Sequence, residues 1–379
     1  MTGFSLSIEL PGAALHCAAH SHHPWPDVTL SAQEEAWHDA ARLLDNKWGY
    51  VFAKVIPAAQ KHIARQIGLP DPTSVVFGPN THSFVLRLLS CFDFGKPVRI
   101  LTTDSEFHSF ARQIARLEEG GAVAVTRVPT EPFDSFEDRF ATAATKGGYD
   151  LVFFSHVFFD SGFMVRDLPK IVSAVPDKDT FIVADGYHAF MAVPTDFGAL
   201  ASRAFYLAGG YKYAMAGEGA CFLHCPPGYG AKPRDTGWYA GFSALESGGN
   251  SVPYAADGSR FFGATFDVTA LYRFNAVQDW LAAEGWTIAK MLMHVRGIEH
   301  TFLEAIQDST TLDPLSLLIA DEAKRGRFLC FRMEQAGAIK AKLAAKNIIV
   351  DYRGDRLRIG FGIYHTEHDA LRLARALVD

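Results

Sequence analysis

Phe181-Ile182-Val183-Ala184-Asp185-Gly186-Tyr187-His188 and, about one strand later, Phe205-Tyr206-Leu207-Ala208-Gly209-Gly210-Tyr211-Lys212 decide the fold of this chain. Each is a short run that is apolar on both faces and ends at glycine beside an ionisable side chain. Such runs read as strands buried on two sides, the pattern of a mainly parallel sheet. Working outward, the same reading fits Val75–Phe77, Arg99–Thr102, Ala122–Val128, Leu151–Ser155 and Ala220–His224, with the opening pair at Phe181–Ala184 and Ala204–Ala208. Helical stretches lie between most of them, among them Ser83–Cys91 and Phe110–Leu117. The expectation is an α/β architecture with a mainly parallel seven-stranded sheet, helices on both faces and right-handed crossovers. Ligands of such sheets bind outside the carboxyl ends of the strands.

On the amino-terminal side, Ser31 is placed to cap a helix running through Glu34, Trp37 and Leu44. A second helix is expected from Val51 to Ile67, stopped by Gly68 and by Pro70 and Pro72. On the carboxyl side, Cys225 to Gly263 is rich in Gly and Pro, including Gly248-Gly249, and reads as irregular. A long helical region from Thr269 to Ile306 breaks near Glu284-Gly285. The tail then reads as strand (Arg327–Arg332), helix (Gln335–Ala344), two strands (Ile348–Tyr352, Arg356–Gly360) and helix (Glu367–Val378), a smaller α+β C-terminal domain. The division is an N-terminal segment, residues 1–45, that packs with the small domain and the site mouth; a large domain, 46–265; and a small domain, 266–379.

Composition narrows the functional classes. The 379 residues carry a formal charge of only -6 and no dense Lys/Arg tract, which argues against a nucleic-acid footprint. Five scattered cysteines (Cys17, Cys91, Cys221, Cys225, Cys330) do not make a disulfide framework. With no signal peptide and no apolar stretch long enough to span a bilayer, the reading is cytoplasmic, with a small molecule or a second copy as partner.

Three turns at expected strand ends carry the chemistry. Gly78-Pro79-Asn80-Thr81-His82 precedes a helix, so its N–H groups and the Thr81 hydroxyl can cradle a phosphate, or simply begin a capped helix. Asp185 emerges from a buried strand, where a protonated pyridine nitrogen is one reason for a carboxylate to stay ionised. A helix cap or a metal ligand is another. Lys212, after two glycines, is either a loop lysine or a desolvated amine competent for Schiff-base chemistry. The order of the three favours one cofactor site over three coincidences.

The Asp-x-x-His of Asp185–His188, the Tyr211-Lys212 pair and the Gly217-Glu218-Gly219-Ala220 strand entry resemble the class V aminotransferase superfamily, and within it kynureninase, over most of the chain from about Trp25. The resemblance implies the fold type I architecture of pyridoxal 5'-phosphate (PLP) enzymes, with Lys212 holding the cofactor and Asp185 on its pyridine nitrogen. It implies further cofactor contacts at Asn80, Thr81, Phe107 (a ring stacked on the cofactor), His188 and Tyr211. Trp238 and Thr265 would serve a site completed across a homodimer, and Arg358 would bind the substrate carboxylate. The reaction implied is hydrolysis of a Cβ–Cγ bond in a kynurenine-type amino acid, with transamination as the alternative.

This chain departs from kynureninase where a substrate ring would be recognised. An Asn-Ser-Leu-Gly segment is replaced by Ala19-His20-Ser21-His22-His23-Pro24, Ser-Asn-Pro-Pro by Gly263-Ala264-Thr265-Phe266, and Phe-Pro-Ser-Asp by Phe107-His108-Ser109-Phe110. The Pro-flanked His cluster offers no fixed face for a metal. It is expected to fold over the site mouth, with His22 against substrate. Cys221 and Cys225, on one strand face about 13 Å apart, are too distant to share a metal. No cysteine occupies an obvious loop for a persulfide carrier, although Cys330 is not excluded by position.

Overall fold

The computed structural model describes residues 3–9, 12–244 and 251–378; Gly248-Gly249 lies outside them. A two-residue strand, Leu15–His16 (β1), opens the chain. Seven strands then build the central sheet: Val75–Gly78 (β2), Val98–Thr103 (β3), Val123–Val128 (β4), Leu151–Ser155 (β5), Phe181–Asp185 (β6), Phe205–Gly209 (β7) and Cys221–His224 (β8). Their order is β2-β8-β7-β6-β5-β3-β4. Only β8 runs against its neighbours. Every residue of β2, β5, β6, β7 and β8 is buried, as continuous apolar runs require.

Register aligns the chemistry. Ser155 pairs with Asp185 and Asp185 with Leu207, while Gly78 and Gly209 flank Cys221 from either side. The carboxyl ends of β2, β5, β6 and β7 therefore open on one edge of the sheet.

Leu329–Arg332 (β9), Ile348–Ile349 (β10), Asp351–Arg353 (β11) and Arg356–Ile359 (β12) follow. The strand expected over Ile348–Tyr352 is two strands. β10 pairs with β1 in parallel, whereas β11 and β9 flank β12 in an antiparallel sheet. A second buried cluster gathers here around Phe331, Leu357, Phe361 and Leu373, and Leu15 and Cys17 belong to it. The N-terminal segment is thus strung along the C-terminal unit, with the Ala19 N–H donating to the Gly360 carbonyl at 3.0 Å.

Most helix expectations hold in place. Gly68 closes the helix Ile56–Ile67 at φ 71°, a left-handed position that suits glycine. The long helical region divides into Thr269–Ala283 and Ile288–Ala305. Ser31 is not a cap: that helix spans Val28–Leu43 and begins after Asp27, whose carboxylate instead accepts from Ser5 and Leu6. Pro26 and the packing of the Ser5–Leu6 turn set the start, a long-range contact that local spacing does not record. Among the described residues no helix is long and apolar enough to cross a membrane.

Candidate active site

Lys212 sits just past β7 and is buried, 7% exposed. Burial, reinforced by the Arg358 guanidinium, pushes its amine down to about 7 against the opposing pull of Asp185. Such an amine can be neutral near neutral pH, as a nucleophile must be. Lys212 Nζ hydrogen-bonds His188 Nε2. Burial and the Lys212 charge hold that imidazole well below its usual range, so it is a neutral acceptor. The rings of Tyr187 and Phe107 lie 5.0 and 5.3 Å from the same nitrogen.

Asp185 ends β6, and its Oδ1 accepts from the Tyr187 N–H at 2.9 Å. Burial pushes this carboxyl up to about 6, against that hydrogen bond and the Lys212 charge. A cationic ring nitrogen placed there would restore its ionisation.

A cavity of about 320 Å³ joins these groups to the first turn; Asn80, Thr81, Phe107, Tyr211 and Glu218 are among its lining residues. Asn80 caps the helix Thr81–Leu89, its side-chain oxygen accepting from the Ser83 N–H at 2.9 Å. The cap fixes a helix N-terminus toward the cavity, a favourable end for an anion. Tyr211 Oη meets His22 Nδ1 at 3.1 Å, which places the N-terminal histidine segment at the mouth.

The remaining expected residues lie apart from the cavity lining. Arg358 is buried behind it; its Nη1 donates to the carbonyl of Phe159, a lining residue, at 2.5 Å. Trp238 and Thr265 do not line the cavity: Trp238 Nε1 donates to Thr265 Oγ1 at 3.1 Å, in a partly exposed aromatic region with Trp48 and Phe242. Glu106 is a site-region residue that was not anticipated. Its carboxyl accepts from Thr103 Oγ1 (2.7 Å), Ser155 Oγ (2.6 Å) and the Ser155 N–H (3.1 Å), tying the ends of β3 and β5 together. Burial pushes it up to about 8. Its adjacency to Phe107 was the available signal. All five cysteines are free and none is exposed. Cys330 lies within β9, with Sγ donating to the Asp160 carbonyl at 3.2 Å, and burial pushes its thiol up to about 12.

The residues present fit PLP: a low-pKa lysine, a buried strand-end carboxyl, a ring wall and a capped helix N-terminus around one cavity, with His188 Nδ1 buried and unpartnered among the described residues. The fold and this set define a PLP enzyme of fold type I. The chain belongs to the class-V aminotransferase family, whose model matches residues 45–373. No curated protein sequence matches it significantly. In fold it is similar to C-DES, in a mutant with glycine covalently linked to the PLP cofactor (TM-score 0.80, 16% identity, 99% of each chain covered). It is also similar to a cysteine desulfurase from Thermococcus onnurineus NA1 (0.78, 16%, 98% of this chain and 96% of that one). Escherichia coli CsdA, another cysteine desulfurase, gives 0.76 at 13% identity, with 98% and 96% covered. At these identities the likeness is one of fold.

Proposed function

We propose that this chain is a PLP-dependent enzyme that takes an α-amino acid at Lys212, and that its reaction is hydrolytic Cβ–Cγ cleavage of a kynurenine-type substrate. The observation that carries the reading is the buried Lys212 amine, brought down to about 7, in one cavity with Asp185. Lys212 holds the cofactor, Asp185 pairs with the pyridine nitrogen, and His188 keeps Lys212 in place. Asn80, Thr81 and Tyr211 would hold the phosphate, and Phe107 would lie against the ring. Bound there, PLP supplies an electron sink for charge that develops at the substrate Cα. Lys212 would be the general base placed to take the substrate Cα proton. Arg358 fixes the α-carboxylate and so the orientation of the Cα bonds. His22, held at the mouth by Tyr211, is the N-terminal residue placed against the substrate side chain.

Transamination is the second reading. Against a dicarboxylic keto-acid acceptor stands the lining itself, in which Lys212 is the one cationic residue among the described residues and Glu218 adds negative charge. A protein-bound persulfide is not part of the reading, because four of the five thiols are buried and Cys91 is half-buried outside the cavity lining. The free cysteines favour a cytoplasmic setting. The partly exposed Trp238 and Phe242 favour a homodimer in which Trp238 and Thr265 complete the partner's site. The division at residues 45 and 265 stays a proposal: the larger buried cluster spans both boundaries, with Ala32 and Ala36 before the first and Leu271 and Val277 after the second.

The test is PLP-loaded protein mixed with L-kynurenine and no keto acid, followed for anthranilate and for the cofactor spectrum. Catalytic anthranilate with an unchanged final spectrum supports hydrolysis. Stoichiometric conversion of the cofactor to its amine form supports transamination and rejects hydrolysis.

A further inference from the structure

Behind the Phe159 wall, three buried polar atoms lack hydrogen-bond partners among the described residues: both ring nitrogens of His20 and Nε of Arg358. Native interiors leave few such groups, and three together mark a place where another polar group belongs. His20 is fully buried and stacks on Phe328 (centroids 4.7 Å, planes 21° apart). Phe328 in turn lies 5.8 Å from His188, the partner of Lys212. A Cβ on Gly360 would come within 2.3 Å of His20 Nδ1, so the imidazole is closely confined.

Arg358 is already engaged. It stands directly opposite Asp351 in the β11–β12 register, and its Nη2 donates to Asp351 Oδ2. Asp351 Oδ1 accepts from Arg353 Nη1 at 2.7 Å. The oxygen that takes Arg358 also lies 3.9 Å from His20 Nε2, about an ångström beyond hydrogen-bond length.

We propose that Asp351 stands in for the substrate carboxylate on Arg358, and that an incoming α-carboxylate takes Arg358 while Asp351 turns onto His20. This rests on the PLP reading above. A buried guanidinium without an anion is costly, so an internal carboxylate keeps the pocket paired between turnovers. Once displaced, Asp351 needs a donor, and an imidazole Nε2–H a short rotation away supplies one without adding charge. Arg353 holds the other oxygen throughout. The exchange makes the α-carboxylate bind less tightly than to a free arginine, and it makes His20 a specificity residue although it touches no cofactor.

The experiment uses PLP-loaded protein with L-alanine and L-alaninamide as probes, each dissociation constant read from the change in cofactor absorption. Asp351→Asn should raise the preference for alanine over alaninamide by about tenfold, the size of one charge-assisted hydrogen bond. Asp351→Glu, which keeps the competing charge, should retain the original preference. His20→Leu should weaken alanine several-fold and leave alaninamide unchanged. A lower alanine preference in Asp351→Asn would make Asp351 an aligner of Arg358 and overturn the exchange, as would a His20→Leu variant with unaltered preference. Thermal melts check each variant, and if Asp351→Asn does not fold, His20→Leu decides. Wild-type protein whose cofactor spectrum answers neither probe would reject the amino-acid reading itself, and the exchange with it.

Discussion

At the scale of single residues, the site is built by placing ionisable groups where water cannot reach them. Lys212 has an amine at about 7 against its ordinary 10.5. Between those values the unfolded chain carries a proton there that the folded protein lacks, so this group makes stability rise with pH across the window. At and below pH 7 its burial cost is fully present. Lys212→Met should therefore stabilise the cofactor-free protein most at or below about pH 7, with the gain fading toward pH 10.5. Thermal melts across that range check it; a pH-independent difference would contradict a buried, depressed amine. The positions of Lys212 and Asp185 were legible in the sequence because Asp185 closes β6 and Lys212 comes three residues after β7, which puts both at the ligand edge. Glu106, His20 and Asp351 were not. Their surroundings come from Ser155, Phe328 and Arg358, residues 49, 308 and 7 positions away by sequence number, which meet only through sheet register and packing.

Single elements tie these residues to the fold. The helix Thr81–Leu89 presents its N-terminus to the cavity, with Asn80 as its cap. Asn80→Ala should cost about 1 kcal/mol of stability and weaken inorganic phosphate and PLP together, as read by melting and by titration. Intact phosphate binding in that variant would remove the helix end from the site. The strand expectations succeeded because runs buried on both faces leave an uninterrupted apolar signature, as in Leu151–Ser155. The failures share one cause. β1 is two residues long and exists because Ile348 and Ile349 pair with it, and the helix at Val28 starts where Asp27 is held by Ser5 and Leu6. Neither signal is local, so neither could be read from periodicity.

Over the whole molecule, the open edge of the sheet forms one cavity, the C-terminal unit meets its Phe159 wall through Arg358, and the N-terminal segment runs from β10 to Tyr211. One side remains apolar and partly open, with Trp238 37% and Phe242 41% exposed. In the proposed homodimer these aromatic groups would lie in the interface. Sedimentation should give a dimer, and Phe242→Glu should shift it toward monomer with weaker PLP binding; a wild-type monomer with full PLP affinity would contradict the shared site. The family and fold were accessible from the ordering of three turns. The reaction was not, because the residues that would recognise a side chain come from distant segments. All of this depends on Lys212 carrying the cofactor. The most direct test is to reduce the PLP-loaded protein with borohydride and locate the modified residue by peptide mass spectrometry. The account predicts the pyridoxyl group on Lys212 and its loss in Lys212→Ala; a group fixed on another lysine, or none at all, would contradict it.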